Sequence, residues 1–116
     1  MDKLFEDILN MDGVHGLVLL SEAGKVLFES LDKKRFLPEK STLSWKMIID
    51  SLEEFDEMDL VFAEGRIYMI KTGSGFLLIS MSLNVSTAMV KLNCDILIPE
   101  LKKALTGRGF KRFFKF

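Results

Sequence analysis

The chain has 116 residues, of which 48% are apolar and ten are Phe, and its formal net charge is −1. One domain of this size buries roughly two thirds of its unfolded surface, and the near-neutral balance excludes a global field drawing the whole molecule to nucleic acid or an anionic membrane. The single cysteine, Cys94, excludes an internal disulfide; no apolar run reaches the roughly 18–20 residues of a membrane span.

Leu4, Phe5, Ile8, Leu9 and Met11 recur near helical spacing, with Asp2 as an N-cap and Gly13 as a stop, and predict a first helix of about two to three turns. Val14–Leu20 follows as a strand. Its core, Leu17-Val18-Leu19-Leu20, does not alternate, so both of its faces need cover. Ser21-Glu22-Ala23-Gly24 carries turn chemistry and Lys25–Glu29 returns as the second strand of a hairpin. Leu31–Pro38 reads as a charged surface loop.

A second helix is expected to start between Pro38 and Ser41 and to run to about Asp56. Its apolar residues, Leu43, Trp45, Met47, Ile48, Ile49, Leu52 and Phe55, project over roughly 200–240°, whereas a helix covering one face of its own sheet needs a stripe little wider than 100°. The excess points to a second partner, most simply the same helix of another copy. Lys46, Asp50, Glu53 and Glu57 fill the polar remainder.

Three short strands come next, Met58–Ala63, Arg66–Thr72 and Phe76–Met81, with Glu64-Gly65 and Gly73-Ser74-Gly75 where hairpin turns belong. Asn84 is placed as the N-cap of a third helix. Val85, Ala88, Met89, Leu92 and Ile96 form its apolar stripe, which changes phase to Leu97, Ile98, Leu101 and Leu105; a kink or restart is expected near Pro99, because proline removes a helical hydrogen bond and crowds the preceding turn. The order α-β-β-α-β-β-β-α, with hairpin-linked strands and two-sided apolar strand cores, predicts a three-layer α/β/α sandwich around one five-stranded antiparallel sheet. Residues 1–105 make the domain and 106–116 an extension of different composition.

Little in the chain nominates chemistry. His15 is the only histidine and has no neighbouring orienter or substrate pocket, so it reads as a strand-end or turn residue. One His and one distant Cys do not make a metal set. Cys94, inside a predicted helix, reads as a small core residue. Lys71-Thr72-Gly73 lacks the S-x-x-K and S-D-N partners of the penicillin-binding enzymes, and the glycines join two strands rather than a strand and a helix, which argues against a phosphate loop. No catalytic residue, metal or cofactor is assigned, and the chain is expected not to be an enzyme. Residues 1–16 lack the pattern of a signal peptide, and a soluble cytoplasmic protein is expected.

The end, TGRGFKRFFKF, interleaves Arg108, Lys111, Arg112 and Lys115 with Phe110, Phe113, Phe114 and Phe116. As a helix it would set Phe110, Phe113 and Phe114 opposite Lys111, Arg112 and Lys115. Three readings stay open. The phenylalanines pack back over the domain's own core or a dimer seam; they dock a partner groove or an anionic membrane; or the segment binds nucleic acid, for which no supporting motif is present and which is not assigned.

The arrangement resembles the roadblock / dynein light chain family, which includes bacterial gliding-motility GTPase regulators. Ile8–Leu19 (ILNMDGVHGLVL) is similar to the family opening I-x-x-I-x-G-V-x-G-A-x-V. The turn Glu22-Ala23-Gly24, the long helix after a polar loop, and Gly73-x-Gly75-Phe76-Leu77-Leu78, like G-x-G-x-L-L before the last helix, complete the match over about residues 1–105. Departures are bulky Trp45 and Met47 where the family often has alanine, Pro99 in the last helix, and the Phe-rich basic end.

The resemblance implies a profilin-like fold and a non-enzymatic homodimer, with second helices paired and third strands edge to edge. It places the dimer interface at Trp45, Ile48, Ile49, Leu52, Leu60 and Phe62. Contact with a small Ras-like GTPase or a scaffold subunit would fall to Lys46, Asp50, Glu53 and Glu57. Two other functions are carried beside it: a sensory or small-ligand-binding α/β module, and a structural subunit of a cytoskeletal or motor assembly docked through its Phe-rich end.

Overall fold

The computed structural model describes residues 2–31, 50, 54–63, 65–73 and 75–105. Seven elements fall within them: α1 (Asp2–Leu9), β1 (Val14–Ser21), β2 (Val26–Leu31), β3 (Glu57–Phe62), β4 (Gly65–Lys71), β5 (Gly75–Met81) and α2 (Thr87–Leu105). The strands form one antiparallel sheet in the order β2-β1-β5-β4-β3. Most of the predicted second helix lies outside the described residues, so α2 is the helix expected third in the chain.

The two non-alternating strand cores sit where two-sided burial demands them, at the centre of the sheet. Leu17 and Leu19 of β1 join Leu77 and Ile79 of β5 in a cluster with Phe5 and Ile8 of α1 and Val90, Cys94, Leu97 and Leu101 of α2. Val18, Leu20, Phe76 and Leu78 point the other way and are buried with Ile67 and Met69 in a second cluster. Both faces of the sheet are therefore covered, and both described helices lie on the first. Phe5 stacks on Phe28 of β2 with ring centroids 5.1 Å apart, which ties α1 to that edge.

Two glycines are demanded by close approach. Gly13 has a φ of +87°, and a Cβ there would lie 2.4 Å from Val85 Cγ2; its carbonyl accepts from Ser82 N–H at 2.7 Å. Gly75 faces Ser21 across the β1–β5 ladder, and a Cβ there would fall 2.0 Å from the Leu20 carbonyl oxygen. Any side chain at Gly75 would drive the two central strands apart. His15 is the extra residue at a register shift, because Val14 pairs with Met81 and Gly16 with Ser80; it occupies a β-bulge.

Several boundaries differ from expectation. The first helix ends at Leu9 rather than near Gly13, and Met11 lies in the turn that follows. Asp50 is helical, but Glu54–Asp56 are not, so Phe55 is an exposed residue outside any helix rather than part of an apolar helical face. Asn84 stands in a turn, and the N-cap of α2 is Ser86, whose Oγ accepts from Met89 N–H at 3.3 Å.

The larger correction concerns the phase of α2. Val90, Cys94, Leu97 and Leu101 make one continuous buried stripe that crosses Pro99 without a restart. Met89, Leu92 and Ile96, expected in the core, are 51, 54 and 67% exposed. Proline is tolerated because Pro99 lies on the exposed side, where the carbonyl it leaves without a helical donor can meet water. No helix among the described residues is long and apolar enough to cross a membrane.

This phase has a direct test. Leu101→Ala should lower the free energy of unfolding by about 2–5 kcal/mol, whereas Leu92→Ala should change it by about 0.5 kcal/mol or less. Urea denaturation of the two variants checks the ranking, and a larger loss at Leu92 would return the core to the Met89 stripe.

Candidate functional site

β3 is an edge of the sheet, and its residues divide by parity. Met58, Leu60 and Phe62 are half-buried against the second cluster. Glu57, Asp59 and Val61 alternate with them on the helical side and are exposed. An edge strand carries a row of backbone donors and acceptors available to another strand, and here that row is bordered by half-buried apolar side chains.

Polar links on the helical side hold this edge to α2. Tyr68 of β4 donates its hydroxyl to Glu57 Oε2 at 2.5 Å, and Lys91 of α2 donates to Glu57 Oε1 at 3.2 Å. Glu57 is thereby held below the usual carboxylate range, first by the Tyr68 hydrogen bond and then by Lys91, against a smaller opposing effect of desolvation. Burial, followed by the same Glu57 contact, pushes the Tyr68 phenol well above its ordinary value. Further along β3, Asp59 ion-pairs with Arg66 at 3.6 Å, and the same guanidinium donates to Thr87 Oγ1 and, at 2.9 Å, to the Leu83 carbonyl. Arg66 fastens β3 and β4 to the entry of α2.

Beside the Glu57 links, away from Arg66, lies a cleft of about 390 Å³, lined by Asp56, Glu57, Ile70, Lys71, Lys91, Asp95 and Ile98. Charges of both signs over an isoleucine floor do not make the apolar enclosure expected of a small-ligand module. Cys94 is fully buried in the α2 stripe, with its thiol pushed up to about 12 by desolvation and then by Asp95, which suits a core residue rather than a nucleophile. Among the described residues no group of three or more His, Cys, Asp or Glu could hold a metal ion. Gly73, with a φ of +87°, and the hydrogen bond from Thr72 N–H to the Gly75 carbonyl close a hairpin between β4 and β5, so these glycines do not form a phosphate loop.

Of the residues singled out from sequence, Leu60 and Phe62 stand together on the inner face of the edge strand. Asp50 is exposed. Glu57 begins β3 instead of closing a helix, and Tyr68 and Lys91 occupy both its oxygens. Trp45, Lys46, Ile48, Ile49, Leu52 and Glu53 lie outside the described residues, as do Phe110, Phe113, Phe114 and Phe116. Arg66, Tyr68 and Lys91 escaped sequence reasoning. The available signal was Tyr68 itself, the sole tyrosine, set in an apolar strand where its hydroxyl requires a polar partner.

Structures of known proteins share this architecture. The chain superposes on a roadblock/LC7 domain from Streptomyces avermitilis with a TM-score of 0.66 at 14% identity, covering 90% of this chain and 97% of that one. An MglB with tetrameric arrangement gives 0.66 at 16% identity over 87% and 84% of the two chains. The gliding protein MglB from Thermus thermophilus gives 0.61 at 14% identity over 87% and 84%. No family model matches the sequence, and no curated protein matches it. The likeness is one of fold, and that fold is the roadblock/LC7 fold expected from the sequence motifs.

The Glu57 links predict a pH-dependent contribution to stability. A carboxylate whose folded pKa is depressed stabilises the fold above its unfolded pKa, near 4.5, and loses that contribution as pH falls through the folded value. Tyr68→Phe should therefore cost about 0.5–1.5 kcal/mol near neutral pH. The difference from the parent chain should shrink below pH 4, and parallel urea titrations at pH 7 and pH 3 would reveal it.

Proposed function

We propose that the chain is a non-enzymatic homodimeric adaptor that regulates a small Ras-like GTPase. The observation that carries this reading is the edge strand β3, half-buried on one face and at the margin of a roadblock/LC7 sheet. Pairing of β3 with its copy would continue the sheet across two protomers and bury Leu60 and Phe62 further. The wide apolar face read from sequence at Trp45, Ile48, Ile49 and Leu52 supports the same seam.

In this reading the GTPase, or a scaffold subunit in its place, contacts Lys46, Asp50 and Glu53. Contact through Glu57 has to share its carboxylate with Tyr68 and Lys91. Regulation then works by positioning the loops of the GTPase, so the adaptor supplies no catalytic group of its own. A cytoplasmic location, and a division into a domain of residues 1–105 with a separate extension, belong to the same proposal.

Sedimentation velocity is expected to give a dimer at micromolar concentration. Leu60→Asp combined with Phe62→Asp should weaken self-association by about a hundredfold or more, and a monomer in the parent chain would reject the dimer. Co-purification with candidate Ras-like GTPases, loaded with GTP or GDP, tests the partner. Retention that depends on the bound nucleotide is the expected result, and loss of retention with Asp50→Lys would locate the contact.

A further inference from the structure

β3 is the least secured strand of the sheet. Its ladder to β4 runs from Glu57 opposite Ile70 to Phe62 opposite Gly65, and no second strand flanks it among the described residues. Its inner side chains are half-buried, whereas every residue of β5 is buried between two neighbouring strands. An edge strand of this kind belongs to the part of a fold that opens first.

Two side-chain links act on its helical face, and both end on α2. Lys91 has Asp95 one turn away on its own helix, yet its ammonium reaches across to Glu57, the first residue of β3, at 3.2 Å. Asp59 pairs with Arg66 at 3.6 Å, and Arg66 donates in turn to Thr87, the first residue of α2. Thr87 and Lys91 stand at i and i+4, about 6 Å apart along the helix. Glu57 and Asp59 stand at i and i+2, about 6.7 Å apart along one face of the strand. The two spacings nearly coincide, so α2 bridges β3 at two successive positions without bending either element. α2 is anchored independently of β3, through Val90, Cys94, Leu97 and Leu101 in the first cluster. A well-anchored element thus grips a weakly anchored one at two points.

We propose that α2 is a latch on the pairing edge: Lys91 and Thr87 hold β3 in the register a second strand needs, and β3 frays and loses its capacity to pair when they let go. The effect on assembly rests on the reading of β3 as the self-pairing edge; the hold itself does not. Association is then controlled by residues that lie outside the paired strands. An anionic group that drew Lys91 away from Glu57 would weaken assembly without touching the interface, which is a coupling between two sites.

Lys91→Met with Thr87→Val removes the α2 end of both links and leaves every residue of the sheet in place. Amide hydrogen exchange of the full chain, diluted below its dissociation constant and read by peptide mass spectrometry, keeps strand pairing between copies out of the measurement. Residues 57–62 should exchange about tenfold faster in the double variant than in the parent chain, as expected when two polar links are lost. Residues 75–81 of β5 should exchange at the parent rate and report that the variant is folded. Lys91→Arg, which keeps a cation on Glu57, should retain the parent rate in β3. By sedimentation, the dissociation constant of the double variant should rise about tenfold. Equal β3 exchange in parent and double variant overturns the latch, and so does equal acceleration of β3 and β5. Faster β3 exchange with unchanged association overturns its control of pairing. A monomeric parent chain would instead reject the homodimer, and the exchange in β3 alone would then decide the latch.

Discussion

β1 and β5 pair over their whole lengths with apolar side chains on both faces, and neither can leave either face to water. Everything else in the molecule answers that demand. α1 and α2 cover one face, and the second cluster is equally buried on the other. The pairing also restricts its own backbone, because Gly75 approaches the Leu20 carbonyl too closely for any side chain. The hairpin partners β2 and β4 then extend the sheet outward, and β3 is left at the margin. The alternation of exposed and half-buried residues along β3, against the unbroken burial of β5, is the same constraint expressed at the edge and at the centre.

That centre was legible because its signal is unusual. A run such as Leu17–Leu20 or Phe76–Ile79 has no polar residue to place toward water, so sheet position and two layers of cover follow from the run itself. Hairpins were equally readable from glycine and turn residues, and the strand boundaries moved by only one or two residues. The helix phase was legible in the later part of α2, where Leu97 and Leu101 are buried as expected, but not in the earlier part. α2 offers two apolar stripes of nearly equal width, and hydrophobicity cannot choose between them. The choice fell to Val90 and Cys94, which are buried in the same cluster as Leu97 and Leu101. Ser86 against Asn84 as the cap was similarly beyond composition, since both are good N-cap types and the geometry of the preceding turn selects one.

The polar network around Glu57 was hidden for a different reason. Tyr68, Glu57 and Lys91 are separated by 11 and 34 residues along the chain, and only the β3–β4 register and the crossing of α2 bring them together. Such a contact has no local pattern. Its effect is nevertheless structural before it is functional. β3 has one sheet neighbour among the described strands, and an edge strand with one ladder is the part of a sheet most prone to fray. Glu57 at its start and Asp59 two residues later are both fastened on the helical side, to Lys91 and Arg66, and Arg66 in turn reaches Thr87.

Fastening on that side has a consequence for any assembly. Were β3 held only by its ladder to β4, a second strand could pair with it solely at the cost of ordering it first. Held as it is, the strand presents its outer backbone edge in a defined register, with Leu60 and Phe62 already on the inner face. The helical side is then occupied by polar links and the cleft, whereas Met89, Leu92 and Ile96 form an exposed apolar ridge on α2 away from its buried stripe. Edge and ridge are thus distinct surfaces, separated by the Glu57 and Arg66 links. A substitution that disturbs one can leave the other intact. That separation leaves the outer backbone edge of β3 and the exposed apolar residues of α2 as two surfaces of different character on one small domain.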